Sequence, residues 1–186
     1  MRQEQDSPPR AVVLRDALVA VGVTHVIGLP DNGSAALFDL LAQDPVLTLL
    51  NVTREGEAFA IASGLWLGGK RPAVVIQNTG LLESGDSLRG TAVRMGVPLL
   101  CLVGYRGYQK MIGHRIDPHA RQPTPEVLTR SDLDSAALLT EPTLDAWGLP
   151  YYHYSKDRDA PRIAEAWDLA QRESRPVALL LTHALA

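Results

Sequence analysis

Apolar and polar residues fall along this chain in short blocks whose period switches between that of a helix and that of a strand. Residues 11–21 carry apolar side chains at helical spacing, and Gly22 follows as a C-terminal stop. The run 25–28 reads as a strand that ends in the turn Leu29-Pro-Asp-Asn-Gly33, and Ser34 caps a helix to about residue 42. Strand 46–52, helix 55–67 and strand 72–77 follow, the last opening on Pro72 as strands can. A helix over 81–95 and a strand over 98–103 complete this run. From residue 104 to about 136 the rhythm breaks into prolines, charges and little periodicity. Stretches of that kind inside compact domains are often functional loops or lids. Regular spacing returns with a helix over 138–147, a strand over 151–154, a helix over 160–172 and a strand over 176–182. About six strands alternating with helices predict an α/β fold of three layers, α/β/α, with a central, mainly parallel sheet. Residues 1–9 are expected to be a disordered tail, with 10–186 forming a single domain.

Bulk properties narrow the function classes. The net charge of −3 gives no basic footprint for nucleic acid and no cationic face for a membrane. No apolar run reaches the length of a membrane span, and the polar N-terminus lacks the apolar core of a secretory signal, so the cytoplasm is expected. The two Asn-x-Ser/Thr triplets at Asn32 and Asn51 are then chance matches. Cys101, the single cysteine, lies in an apolar strand and reads as a buried thiol.

The residues that could carry chemistry collect after strands. Glu55 opens a helix just beyond strand 46–52. With Thr53 as N-cap, an acidic residue in the first turn suits the helix dipole and needs no further reason, and Glu57 keeps that reading. Glu55, however, stands at the carboxyl end of a strand, where open α/β sheets place ligand crevices, and Ala58, Ala60, Ala62 and Gly64 thin its helix for close packing. Asn78-Thr79-Gly80 leaves strand 72–77 at the same edge, as a plain turn or as a site loop. Asp31 either starts a turn with Asn32-Gly33 or faces the same edge. Arg106 and His119, in the irregular segment, are either solvated surface charges or charge-assisted donors for an anion. His114 and His119, five apart on no clear helix, lack metal-pair spacing, and no metal ligand set is assigned. Gly64-Leu-Trp-Leu-Gly-Gly69-Lys70 imitates a phosphate loop, but Arg71 replaces the needed Ser or Thr and the helix-to-strand order is reversed.

Taken in order, these segments resemble the pyrimidine-binding domain of thiamine-diphosphate decarboxylases. Glu55 is followed by Ala58, Gly64 and the stop Gly69-Lys70. Thr53-Arg-Glu-Gly-Glu57 and Val75-Ile-Gln-Asn-Thr-Gly-Leu81 are most similar to the sulfopyruvate and phosphonopyruvate decarboxylases, as are Gly28-Leu-Pro-Asp31, Val103-Gly-Tyr-Arg-Gly107 and Trp147-Gly-Leu-Pro-Tyr151. The resemblance implies that Glu55 binds the cofactor's aminopyrimidine and activates it, with Asn78, Thr79 and Gly80 lining the pyrimidine pocket. It implies a second catalytic role, in proton transfer, for Asp31. Arg106, His119 and Gln122 would bind a small anionic 2-oxo acid. The sequence departs from the pattern at Leu82-Glu83, where Gly-Asn is more usual, and over 122–137, which is longer than the family norm.

The Gly-Asp-Gly…Asn signature that holds Mg2+ and the diphosphate is missing; Gly85-Asp86-Ser87 lacks the second Gly. The expectation is therefore an α subunit of a thiamine-diphosphate-dependent 2-oxo acid decarboxylase, acting on sulfopyruvate or phosphonopyruvate. It would work in an oligomer with a separate diphosphate-binding β subunit that binds the Mg2+. A non-catalytic regulatory subunit of the same fold, or a carboligase subunit, is the alternative.

Overall fold

A computed structural model describes residues 7–119 and 123–186. The apolar runs become six strands: β1 (His25–Gly28), β2 (Thr48–Asn51), β3 (Pro72–Gln77), β4 (Leu100–Gly104), β5 (Tyr151–Tyr154) and β6 (Val177–Leu181). They form one sheet in the order β2-β1-β3-β4-β6-β5, and every neighbouring pair is parallel. The helices are α1 (Ala11–Ala20), α2 (Ala35–Leu41), α3 (Glu55–Leu67), α4 (Asn78–Glu83), α5 (Gly85–Ser87), α6 (Tyr108–Gly113), α7 (Pro125–Leu128), α8 (Ser135–Ala146) and α9 (Pro161–Glu173).

Alternation along β3 shows why there are three layers. Ala73 and Val75 point to one face, into a core with Leu14, Leu18, Phe38 and Trp167 from α1, α2 and α9. Val74 and Ile76 point to the other, against Phe59, Leu81 and Leu138 from α3, α4 and α8. Both faces being covered explains the continuous apolar character of β3, β4 and β6. Each such side chain, fully buried, contributes about 1.5–3 kcal/mol. Cys101 lies in this core, and burial alone raises its thiol pKa far above the ordinary range. Among the described residues no helix is long and apolar enough to cross a membrane.

Differences from the sequence reading sit at caps and loops. Of the stretch 1–9 expected to be disordered, residues 1–6 lie outside the described residues, whereas Pro9 is buried and its carbonyl accepts from Ala186 N at 3.0 Å. Thr53 does not cap α3. It donates to Glu57 Oε2 through its backbone N–H and its hydroxyl, each at 3.1 Å, and Arg54 N donates there at 3.2 Å. The helix predicted over 81–95 begins earlier, at Asn78, breaks near Ser84, whose hydroxyl donates to Gly80 O, and ends in a π-helical turn over Leu88–Val93. The irregular segment contains α6 and α7, and α8 starts at Ser135 rather than 138. Two caps account for this: Thr124 Oγ1 accepts from Val127 N with Pro125 in the first turn, and the Asp134 carboxylate accepts from Ala136 N at 3.0 Å.

One glycine fixes the pairing at the centre of the sheet. A Cβ on Gly28 would lie 1.9 Å from the carbonyl oxygen of Val75 on β3. Gly28→Ala must therefore part β1 from β3, and its urea-unfolding midpoint should fall by the equivalent of about 3 kcal/mol. An unchanged midpoint would show that the strands do not approach this closely.

Candidate active site

The turns after β1, β3, β4 and β6 enclose a cleft of about 1040 Å³ at the carboxyl edge of the sheet. It lies beside the switch between β1 and β3, where the winding reverses and open α/β sheets bind ligands. Asp31, Gln77, Arg106, Asp134 and Thr182 all line it. Asp31 and Arg106, far apart in sequence, are thus brought to one cavity, but each is engaged. Asp31 Oδ1 accepts from Gly33 N at 2.5 Å and Ser34 N at 3.2 Å, and its Oδ2 accepts from the Ser34 hydroxyl at 3.0 Å. Asp31 therefore closes the turn that leads into α2, whose N-cap is Ser34 as the sequence reading has it, though the Ser34 side chain makes no capping bond to the helix. Arg106 Nε lies 2.8 Å from Asp134 Oδ2, with its side chain 60% exposed.

Glu55 stands outside this cleft, half-buried in the first turn of α3. Its side chain rests on Gly80: a Cβ there would come within 2.3 Å of Glu55 Cγ and 2.4 Å of Cδ and Oε1. Only glycine lets α3 and α4 meet in this way. No hydrogen bond joins the Glu55 carboxylate to another described residue, so its acceptors are open. The pair Arg54–Glu83 and a 2.6 Å bond from Ser87 Oγ to Gly56 O tie the start of α3 to the end of α4 and to α5. Glu83, the point of departure in the sequence pattern, is thus a cross-helix anchor.

Asn78 departs from its expected role. Its side chain is completely buried, with Nδ2 donating to Arg106 O at 3.1 Å and to Thr140 Oγ1 at 3.0 Å, while its Oδ1 accepts from Thr79 N. Such an amide cannot line a pocket; it joins β3, the exit of β4 and α8. Thr79 is partly buried and its hydroxyl donates to Gln77 Oε1 at 2.8 Å. Gln122 lies outside the described residues.

His119 belongs to a cluster that the sequence reading missed. Its Nδ1 is 2.7 Å from Oε2 of Glu141, a carboxylate on α8 with no exposed surface. Tyr151 OH donates to the same oxygen at 3.1 Å; His153 Nε2 at 2.9 Å and Tyr105 OH at 3.3 Å share Oε1. Burial opposes ionisation of Glu141, but the hydrogen bond and charge of His153, the charge of His119 and the Tyr151 hydroxyl together bring its carboxyl below the ordinary glutamate value. Burial, then the charge of Glu141, raises the tyrosine hydroxyls of Tyr105 and Tyr151. Although two imidazoles meet one carboxylate here, the described residues contain no group of His, Cys, Asp and Glu placed to hold a metal ion. A period-two reading of Tyr151-Tyr-His153 places its polar ends on one face. Nothing local marks Glu141 as their partner.

The family model described as thiamine pyrophosphate enzyme, N-terminal TPP binding domain, matches residues 11–123. The phosphonopyruvate decarboxylase of Streptomyces viridochromogenes is 36% identical over 90 residues, 48% of this chain and 23% of that one. The sulfopyruvate decarboxylase subunit alpha of Methanocaldococcus jannaschii is 27% identical over 97 residues, 52% of this chain and 57% of that one. The chain thus spans about a quarter of the first and just over half of the second. The crystal structure of benzoylformate decarboxylase from Polynucleobacter necessarius superposes with a TM-score of 0.67 at 20% identity, over 91% of this chain and 29% of that one, which shows a shared fold.

The lowered carboxyl of Glu141 has a pH consequence. Its ionised form favours the folded state above the ordinary glutamate pKa, and that contribution is lost as pH falls through the lower folded value. Glu141→Gln should cost about 1–3 kcal/mol near neutral pH. Its stability should also decline less steeply than that of the parent chain between about pH 5 and pH 3. Denaturant melts across that range measure both, and parallel declines would show that folding does not lower the Glu141 pKa.

Proposed function

The chain belongs to the family of N-terminal TPP-binding domains of thiamine pyrophosphate enzymes, and from that we propose that it is the pyrimidine-binding subunit of a thiamine-diphosphate-dependent 2-oxo acid decarboxylase. The substrate is sulfopyruvate or phosphonopyruvate, as the names of its relatives suggest. The partner is a subunit carrying the diphosphate-binding domain and its Mg2+, which fits relatives named as alpha subunits.

The observation that carries this reading is the open carboxylate of Glu55 resting on the bare backbone of Gly80. An aminopyrimidine needs an acidic group at its ring nitrogen, and Gly80, by carrying no side chain, lets the Glu55 carboxylate lie against α4 with its oxygens unengaged. When bound, the cofactor supplies the electron sink for breaking a carbon–carbon bond. Glu55 would hold, at one carboxyl oxygen, the proton shared with the ring nitrogen, and Gly80 would leave room for the Glu55 side chain to take that position. Thr79, one residue before Gly80, would flank the same ring. Asn78 holds the turn from beneath through Thr140 and the Arg106 carbonyl. Asp31, across the cleft, supports the α2 turn and keeps one oxygen of its carboxylate near Gly104, 3.5 Å from a Cβ built there; from there it would take part in proton transfer. Arg106 and His119 would meet the anionic end of the substrate by charge-assisted hydrogen bonds, and Gln122 is proposed as a further substrate-binding residue.

Two substitutions test this on the chain assembled with its diphosphate-binding partner. Glu55→Gln keeps the shape but cannot exchange the proton, and turnover should drop about 10²–10⁴-fold. Gly80→Ala pushes the Glu55 side chain aside while leaving the fold, and thiamine diphosphate should bind at least about tenfold more weakly by titration calorimetry. Full turnover by Glu55→Gln would sink the mechanism.

A further inference from the structure

Glu141 has more partners than its place in the fold requires. Tyr105, Tyr151 and His153, from the end of β4 and from β5, already supply donors to both oxygens of this buried carboxylate. The fourth partner is different. His119 comes from the stretch between α6 and α7, and its side chain is 60% exposed. A second contact holds its backbone, where His119 N donates to Asp117 Oδ1 at 2.9 Å. With Nδ1 held 2.7 Å from Glu141 Oε2, the other ring nitrogen, Nε2, is left for a group outside the cluster. Which imidazole nitrogen carries a proton is set by the bond the other one makes, and a carboxylate at Nδ1 fixes both tautomer and ring plane.

The cluster borders the cleft through one residue. Tyr105 lines the cavity, donates to Glu141 Oε1 and to Ala137 O, and packs its ring on Tyr108, with centroids 4.9 Å apart. Arg106, the next residue, lines the same cavity. His153 lies 5.8 Å from His119, ring to ring, and competes for the same carboxylate charge. The groups facing Glu141 are therefore His119, His153, Tyr105 and Tyr151, with Tyr108 and Asp145 behind them.

We propose that Glu141 is a positioning residue for substrate binding: it holds His119 with Nδ1–H toward its own carboxylate and turns the Nε2 edge of the ring toward the anionic end of the substrate. This deepens the decarboxylase reading and rests on it for the identity of the substrate. A carboxylate with no exposed surface, bonded to an exposed imidazole, orients that ring at the protein surface without placing an exposed anion beside the ligand.

Two measurements separate this proposal from that reading. In the free chain labelled with ¹⁵N-histidine, His119 Nδ1 should give the signal of a protonated, hydrogen-bonded nitrogen. Glu141→Gln should abolish that signature while leaving the His25 and His183 signals in place. An unchanged His119 signal overturns the proposal whatever the enzyme does. In the chain assembled with its partner and assayed with sulfopyruvate and phosphonopyruvate, Glu141→Gln and His119→Ala should each lower kcat/KM about tenfold or more, mainly through KM. The double variant should be no worse than His119→Ala alone, because Glu141 acts through that ring. Glu141→Asp, which keeps the charge, should recover part of the loss. Losses that multiply in the double variant mean that Glu141 serves the fold only and overturn the proposal. If neither 2-oxo acid is turned over by the unaltered assembly, the decarboxylase reading falls, and the ¹⁵N signal still decides the Glu141–His119 coupling.

Discussion

The arrangement of the whole carboxyl edge depends on one buried amide. Asn78 follows the central strand β3 and opens α4, and its two donors reach Arg106 O on the β4 exit and Thr140 Oγ1 on α8. Leaving either donor unpaired in so dry a place costs about 1–3 kcal/mol, so the three elements keep one mutual placement. From that placement the rest follows. The first turn of α4 is held where Gly80 meets Glu55, and Arg106 is presented to the cleft. Thr140 passes the constraint on by donating to Ala136 O within α8 at 2.7 Å.

Two kinds of acid occupy the site, and their surroundings set them apart. Glu57, three residues from the N-cap position of α3, takes three hydrogen bonds from Thr53 and Arg54. It is spent on closing the helix. Glu55, two residues earlier and on another side of the same turn, takes none from the described residues. Asp31 resembles Glu57 in that its oxygens take hydrogen bonds from its own turn, and it borders the cleft as well.

Much of the fold was legible because apolar period and burial coincide. β1, β3 and β5 begin and end where the pattern says, and the others differ by one or two residues. The place of Glu55 at the start of α3 was legible as well, since a helix start after a strand is a local feature. The role of Asn78 was not: as a dipeptide with Thr79 it looks like a turn, and only partners 28 and 62 residues away show it as a brace. The Glu141 cluster was hidden for the same reason, because its members come from four separate stretches of chain. In the segment 104–136, charge and proline masked two short helices, although Thr124-Pro125 and Asp134-Ser135 carry ordinary start signals.

Thr140 and Glu141 are consecutive on α8 yet serve opposite neighbours, Asn78 on one side and the imidazoles on the other. One residue of slip would rotate the helix by about 100° and lose both at once. Over evolutionary time the helix can therefore neither gain nor lose a residue between Asp134 and Glu141 without dismantling the two contacts together. Length changes must be taken up earlier, in the loop that precedes the Asp134 cap. The cap thus marks the boundary between the part of the chain free to vary in length and the part that is not.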